Sequence, residues 1–386
     1  MKRKKVSELA KQIRGVSYKP EDLHENLDEN SVTLLRANNI FEGRINFDDV
    51  VYVDKSKVTR EQYLCKDDIL VCASSGSKQL VGKAASFNFD TECTFGAFCK
   101  VVRPNQDVAN YLSVYFQSNA YRRRISEVAI GANINNIRNE HIDALELPIG
   151  SNAENEKVVA SFSLLQQIID GRKQQLHKLD ELVKARFVEL FGNPVSNSHA
   201  LPEAILPELG EFGRGVSKHR PRNAPKLLGG KYPLIQTGDV ASANLYITSY
   251  TTTYSELGLT QSKMWDKGTL CITIAANIAK TAILNFDACF PDSIVGFTAN
   301  GRTNNIFIHY WFSFFQEILE SQAPESAQKN INLKILSELK VIVPSKEKQD
   351  AFADFVTQTD KSKAVIQKAL DEAQVLFDSL MQQYFG

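Results

Sequence analysis

Leu179-Asp180-Glu181-Leu182-Val183-Lys184-Ala185-Arg186-Phe187-Val188-Glu189-Leu190-Phe191-Gly192 closes the stretch whose pattern decides how this chain is built. Upstream of Gly192, the residues Val158, Phe162, Leu165, Ile169, Arg172, Leu176, Leu179, Val183, Arg186 and Leu190 follow one another at alternating spacings of four and three. That period, with arginine intruding twice and only Gly171 weakening it, predicts one amphipathic helix over residues 154–191. At 1.5 Å per residue it would be roughly 55 Å long. Gly192-Asn193-Pro194 supplies the stop. A second seam of matched length runs through Phe352, Phe355, Thr359, Ser362, Ile366, Ala369, Ala373, Leu376 and Leu380, and it too closes on Phe-Gly, at Phe385-Gly386. Its middle is small and polar where the first is bulky, so the two predict a helical pair that nests large against small.

Each helix follows a globular segment, and the two segments share one order of landmarks. Leu34 to Ile40 is answered by Leu234 to Val240, Lys66 to Leu70 by Lys267 to Leu270, and Val81-Gly82-Lys83-Ala84-Ala85 by Ile278-Ala279-Lys280-Thr281-Ala282. Asn133-Ile134-Asn135 is answered by Asn330-Ile331-Asn332, and the apolar run ending at Pro148 by the one ending at Pro344. Five matches in the same order predict a duplicated, pseudo-symmetric molecule whose target is two-part as well. Within the first segment Val50–Val53, Ile69–Cys72 and Phe98–Val102 read as strands, and Tyr111–Ile125 as a helix. The fold class is therefore α/β (α+β).

At 386 residues the chain has room for two or three domains with real cores, and 43% hydrophobic and 23% charged residues are ordinary for a globular protein. No run approaches 18 apolar residues, and no apolar stretch follows the basic start Lys2 to Lys5, so a cytoplasmic protein with neither membrane span nor secretion signal is expected. The cysteines at 65, 72, 93, 99, 271 and 289 have no metal-ligand spacing and read as reduced, buried thiols. Net charge is zero, with 45 basic and 45 acidic residues. That excludes a cationic coat but leaves local patches at Lys2 to Lys5, Arg122-Arg123-Arg124 and Arg214 to Arg222.

The alternation of globular segment and long helix resembles the specificity subunit of type I restriction-modification systems over essentially the whole chain. Leu179 to Gly192 is similar to that family's central spacer helix. Gly213 to Asn223, with Gly229-Gly230-Lys231-Tyr232-Pro233 and Ile235 to Val240, is similar to the start of one type of second recognition domain. Ser74-Ser75-Gly76-Ser77 followed by Gly82-Lys83 resembles the family's Ser-Gly-Ser…Gly-Lys loop, lengthened by Lys78 to Val81; the second copy lacks its glycines at Ala275 to Lys280. The resemblance implies target-recognition domains at 1–152 and 193–345, a central spacer helix at 153–192 and a C-terminal one at 346–386. It implies antiparallel spacers that fix the half-site separation on double-stranded DNA and dock two methyltransferase subunits, with motor-nuclease subunits joining them. The chain itself would hold no cofactor; S-adenosylmethionine would serve its partners' adenine methylation, and ATP and Mg their restriction. Readers of one face of the duplex stand about 34–36 Å apart per helical turn.

Base reading needs bidentate side chains, Arg or Lys for guanine and Asn or Gln for adenine, with further polar groups on phosphates. Candidates in the first segment are Ser75, Ser77, Lys78, Lys83, Arg122, Arg123, Arg124, Asn133, Asn135, Asn136 and Arg138. In the second they are Arg214, Lys218, His219, Arg220, Arg222, Gln236, Asn277, Lys280, Lys329, Asn330 and Asn332. The bland alternative for each is a solvated charge or a turn residue; for the two Asn-Ile-Asn triplets it is a turn or a helix start. The Arg214–Arg222 run carries the strongest signal, a loop whose charges need a partner.

Enzyme signatures fail. Gly76 to Lys83 has five residues between its glycines and Ala84 where a phosphate-binding loop needs Ser or Thr. Asn193-Pro194-Val195 is similar to an amino-methyltransferase motif but lacks its second proline and aromatic ring. Pro291-Asp292 with Glu338-Leu339-Lys340 makes a poor nuclease pattern, and no Gly-x-Ser-x-Gly or His-Glu-x-x-His is present. The competing expectations are a stand-alone nuclease or methyltransferase with degenerate motifs, and a coiled-coil scaffold.

Overall fold

A computed structural model describes residues 2–77, 79–128, 135–275, 278–322 and 331–386, with only the backbone for Asn135 and for 317–322. The chain divides into two compact units, Met1–Gln174 with Gln367–Gly386, and Gln175–Ile366.

In the first unit, an antiparallel sheet runs in the order Ala10–Arg14, Cys99–Pro104, Ile69–Cys72, Ala84–Ser86. All four residues of Ile69–Cys72 are buried, which is why this strand reads as an unbroken apolar run rather than an alternation. A second sheet joins Cys93–Phe95, Ser31–Leu35, Val51–Asp54 and Leu23–His24, the first pair parallel. The expected single helix over Tyr111–Ile125 is two, Ala109–Phe116 and Asn119–Val128. The break falls at Gln117-Ser118, where the Ser118 hydroxyl accepts from the Tyr121 amide at 3.1 Å and starts the second helix. Tyr111, Tyr115, Phe116 and Tyr121 pack with Val158 and Phe162 of the central helix and with Met381 and Phe385 of the C-terminal helix.

The second unit repeats this sheet strand for strand: Gly210–Arg214, Ile294–Ala299, Leu270–Thr273, Thr281–Leu284, with Tyr246–Ile247 added at the edge. The equivalence reaches single hydrogen bonds. Cys72 N donates to Lys83 O at 2.8 Å and Thr273 N to Lys280 O at 2.9 Å. Before each lysine the backbone is left-handed, φ +80° at Gly82 and +58° at Ala279, so the second copy keeps the turn without its glycine. An alanine there costs roughly 1–2 kcal/mol. The register of the Asn-Ile-Asn match moves, however. Ile137 N donates to Ala73 O at 2.8 Å as Ile331 N does to Ile274 O at 3.0 Å, so Ile331 answers Ile137. Asn133 and Ile134, the residues expected there, lie outside the described part.

The long helices span Asn152–Phe191 and Lys346–Phe385. In the first unit, Phe162 near the start of one packs on Phe377, Tyr384 and Phe385 near the end of the other. In the second, Phe187 and Phe191 pack on Phe352, so the two helices run antiparallel within each unit. The buried face departs from the expected seam toward its end. Phe187 and Phe191 are fully buried rather than Arg186 and Leu190, and Val356, Met381 and Phe385 are buried while Ser362 and Leu376 are exposed. A helix with 3.6 residues per turn drifts about 20° per heptad against a strict 3.5 repeat, which moves the inward face onto neighbouring positions. All six cysteines are free, and five are buried as expected; Cys65 is exposed.

Phe187→Ala should therefore destabilise the protein by about 3–5 kcal/mol, because four aromatic rings close around a fully buried side chain. Leu376→Ala, a seam position by pattern, should stay within about 0.5 kcal/mol. Urea unfolding of the two variants checks the difference; equal losses would contradict this packing.

Candidate nucleic-acid interface

Two tetrapeptides 200 residues apart are identical, Arg14-Gly15-Val16-Ser17 and Arg214-Gly215-Val216-Ser217. Each ends the equivalent strand, Ala10–Arg14 or Gly210–Arg214, and turns out of its sheet against a second backbone. A Cβ on Gly15 would lie 2.1 Å from the Gly96 carbonyl oxygen, and one on Gly215 would lie 2.3 Å from that of Phe290. Only glycine fits either crossing. Val16 N then donates to Phe95 O at 2.7 Å and Val216 N to Phe290 O at 3.1 Å. Both arginines are thus delivered exposed to the same place in their units, without side-chain partners among the described residues.

Around Arg14 the first unit forms a recess of about 980 Å³ that also takes in Lys57, Lys100, Asn136 and Arg138. Lys57 is paired with Asp22 at 2.9 Å. Lys100 bonds to the Asn139 side chain, and burial first, then the neighbouring Arg14, holds its ammonium below the ordinary lysine range. Crowded, partly desolvated cations of this kind favour an anionic ligand. Of the expected residues, Asn135 pairs with Ser75 and Asn136 with Ser74 across a two-stranded ladder, and the Ser75 hydroxyl accepts from the Ser77 amide at 3.1 Å. Among the described residues the Arg138 side chain reaches only Glu140, at 3.4 Å, and it is largely exposed.

Other expected residues have structural occupations. Arg122 donates to the carbonyls of Val81 and Gln79, both at 2.8 Å, stapling a turn, and Arg124 donates to the carbonyl of Glu146 at the start of the strand Glu146–Ile149. Arg123 between them points outward with no partner among the described residues, and Lys83 is half-buried. In the second unit, Arg220 and Arg222 converge on Asp292. Arg220 also donates to the carbonyls of Ser217 and His219. Asp292, some 70 positions on in sequence, is the partner the loop's charges called for. His219 is anchored by its amide to Gln261 Oε1 at 3.0 Å. Arg214 and Lys218 are left exposed. Gln236 starts a short helix, its amide donating to Asp239 at 2.7 Å, and Asn332 caps another by accepting from the Ile335 amide at 2.9 Å. Lys78, Asn133, Asn277, Lys329 and Asn330 lie outside the described residues.

Lys280 sits apart from Arg214, in a polar recess with His309, Tyr310, Asp360 and Lys363, its ammonium on Gln316 Oε1 at 3.1 Å. There His309 bonds to the Thr281 hydroxyl at 2.9 Å, and burial, then Lys363, holds its pKa down at about 4.

Sequence reasoning passed over Arg14, Lys57 and Lys100. The signal that could have found the first was the exact tetrapeptide repeat. Nothing local marks Lys57 or Lys100, which only the fold brings beside it.

Residues 206–374 match the family described as the type I restriction modification DNA specificity domain. The type I restriction enzyme StySPI specificity subunit of Salmonella potsdam is 37% identical over 180 residues, covering 46% of this chain and 39% of that protein. The EcoKI specificity subunit of Escherichia coli K12 is 35% identical over 192 residues, covering 50% and 41%. The type I restriction-modification S subunit from M. genitalium superposes over 100% of this chain and 96% of its own, with a TM-score of 0.56 and 16% identity, a likeness of fold. The likeness in sequence to type I specificity subunits is carried by the matched segment, and the chain spans 39% and 41% of the length of the two curated relatives it matches.

Two outcomes follow. Arg122→Ala should destabilise by about 1–3 kcal/mol, since it orphans two loop carbonyls, whereas Arg123→Ala should leave stability unchanged; thermal unfolding of both tests this. His309, at about 4 when folded and about 6.5 unfolded, contributes stability that is full above pH 6.5 and is lost as pH falls toward 4. The loss should be on the order of 2–3 kcal/mol and absent in His309→Asn. Denaturant titrations at pH 7.5 and 4.5 read it, and an equal loss in the variant would contradict it.

Proposed function

We propose that this chain is the DNA-sequence-specificity subunit of a type I restriction-modification complex, each unit reading one half of a bipartite duplex target. The observation that carries this is the duplicated Arg-Gly-Val-Ser crossing, which presents an exposed arginine, unpaired among the described residues, at the same point of two equivalent folds. A target matched to such a protein is itself split in two. In unit one the arginine stands with further cations and with Asn136, the residue types that hold phosphates and read purine edges.

The helices dock two adenine methyltransferase subunits. Leu164, Ile168 and Leu182 on the central helix and Val365 and Val375 on the C-terminal helix are exposed apolar side chains, which supports a protein-docking role. S-adenosylmethionine serves those partners, ATP and Mg serve motor-nuclease subunits, and this chain makes and breaks no bonds. Asp292, the acid of the discarded nuclease pattern, is engaged by Arg220 and Arg222. No helix among the described residues is long and apolar enough to cross a membrane.

Binding to target duplex by the assembled methyltransferase complex should weaken steeply with salt. Arg14→Ala and Arg214→Ala should each lower affinity and shrink the slope of log K against log salt by about 0.9. Salt-independent binding, or slopes that neither variant changes, would refute the proposal, as would turnover of DNA by this chain alone with S-adenosylmethionine, ATP and Mg.

A further inference from the structure

Phe98 is 68% exposed, and the sequence pattern assigns it to a strand. The strand begins one residue later, at Cys99, and Phe98 occupies the tight turn that leads into it. That turn is rigid. Phe98 O accepts from Ala73 N at 2.9 Å and from Ser74 N at 3.0 Å, Gly96 N donates to Leu35 O at 3.0 Å, and Cys99 N donates to Gly96 O at 2.8 Å. The ring borders two recesses at once, one holding Arg14, Lys100 and Arg138, the other Tyr18, Arg36 and Asn38. The first recess is cationic, whereas in the second Arg36 is paired with Asp49 at 3.0 Å. A large apolar side chain held out to solvent at the edge of the first is poorly placed for folding and well placed for contact with the interior of a polyanion.

We infer that Phe98 reads a thymine in the half-site of the first unit, by apolar contact with its 5-methyl group. The inference rests on the DNA-reading role proposed above and narrows it to one base. Among base edges in the major groove that methyl is the apolar group, and Phe is one of the side chains that meet it. Asn136 and Arg138, in the same recess, are of the types that read adenine and guanine in that groove, which supports contact of the ring with a base edge there. The second unit lacks the device. Its equivalent residue is Ser293, whose carbonyl accepts from Ile274 N at 3.0 Å as that of Phe98 does from Ala73. One half of the target therefore carries a methyl-dependent position that the turn at Ser293 does not supply in the other.

The test uses the full chain assembled with its methyltransferase partner and the duplex identified by methylation sequencing, with each thymine replaced singly by uracil. One replacement should weaken binding by about fourfold, the value of one buried methyl. Phe98→Ala should lose a similar factor on the natural duplex and become indifferent to that replacement, while Phe98→Leu, still apolar, should keep part of the sensitivity. If no replacement matters, or Phe98→Ala responds as the parent protein does, the inference falls. Brightening of 2-aminopurine placed beside the position would show insertion between bases instead, and would also overturn it. Failure of the parent protein to bind the unsubstituted duplex would overturn the DNA-reading role itself, a result distinct from the others.

Discussion

The structure hinges on two places where one backbone crosses another with no room for a side chain. At Gly15 an added Cβ would meet the Gly96 carbonyl at 2.1 Å; at Gly215 it would meet the Phe290 carbonyl at 2.3 Å. These crossings tie the outer strand of each main sheet to the turn entering the next strand. They also fix where the preceding arginine emerges. The two units share this contact, the amide bond that follows it and the point where the arginine emerges.

The division of labour among the cations follows from their second partners. Arg122 and Arg124 stand on a helix and spend their donors on backbone carbonyls, while Arg123, one residue from each, faces out. Arg220 and Arg222 share Asp292, so a run of sequence that looks uniformly cationic contributes less net charge than its composition suggests. Among the described residues Arg14, Arg123, Arg214 and Lys218 remain. With zero net charge over the chain, attraction for a polyanion depends on such few, placed groups.

Much of the architecture was legible in the sequence. Two long seams at heptad spacing gave both helices, and the order of landmarks gave the duplication, because each depends on local periodicity. The positions that differed depend on contacts distant in sequence. Phe187 replaces Arg186 on the buried face through helical drift, Ser118 splits a helix by capping, and Phe98 leaves its strand because the turn is set by Ala73, Ser74 and Leu35. The site was less legible for the same reason. Asp292 neutralises a loop from some 70 residues away, and Lys57 and Lys100 join Arg14 only once the sheet has formed. The Arg-Gly-Val-Ser repeat was visible all along, but a four-residue match shows its meaning only when both glycines are seen against carbonyls.

The central claim is that two equivalent units read independently. Replacing the first globular segment with that of a relative of different specificity, and sequencing the adenine methylation of the resulting cells, tests it most directly. The account predicts a hybrid motif in which one end has changed and the other, with its spacing, has not. A motif altered at both ends, or at neither while methylation persists, would contradict it.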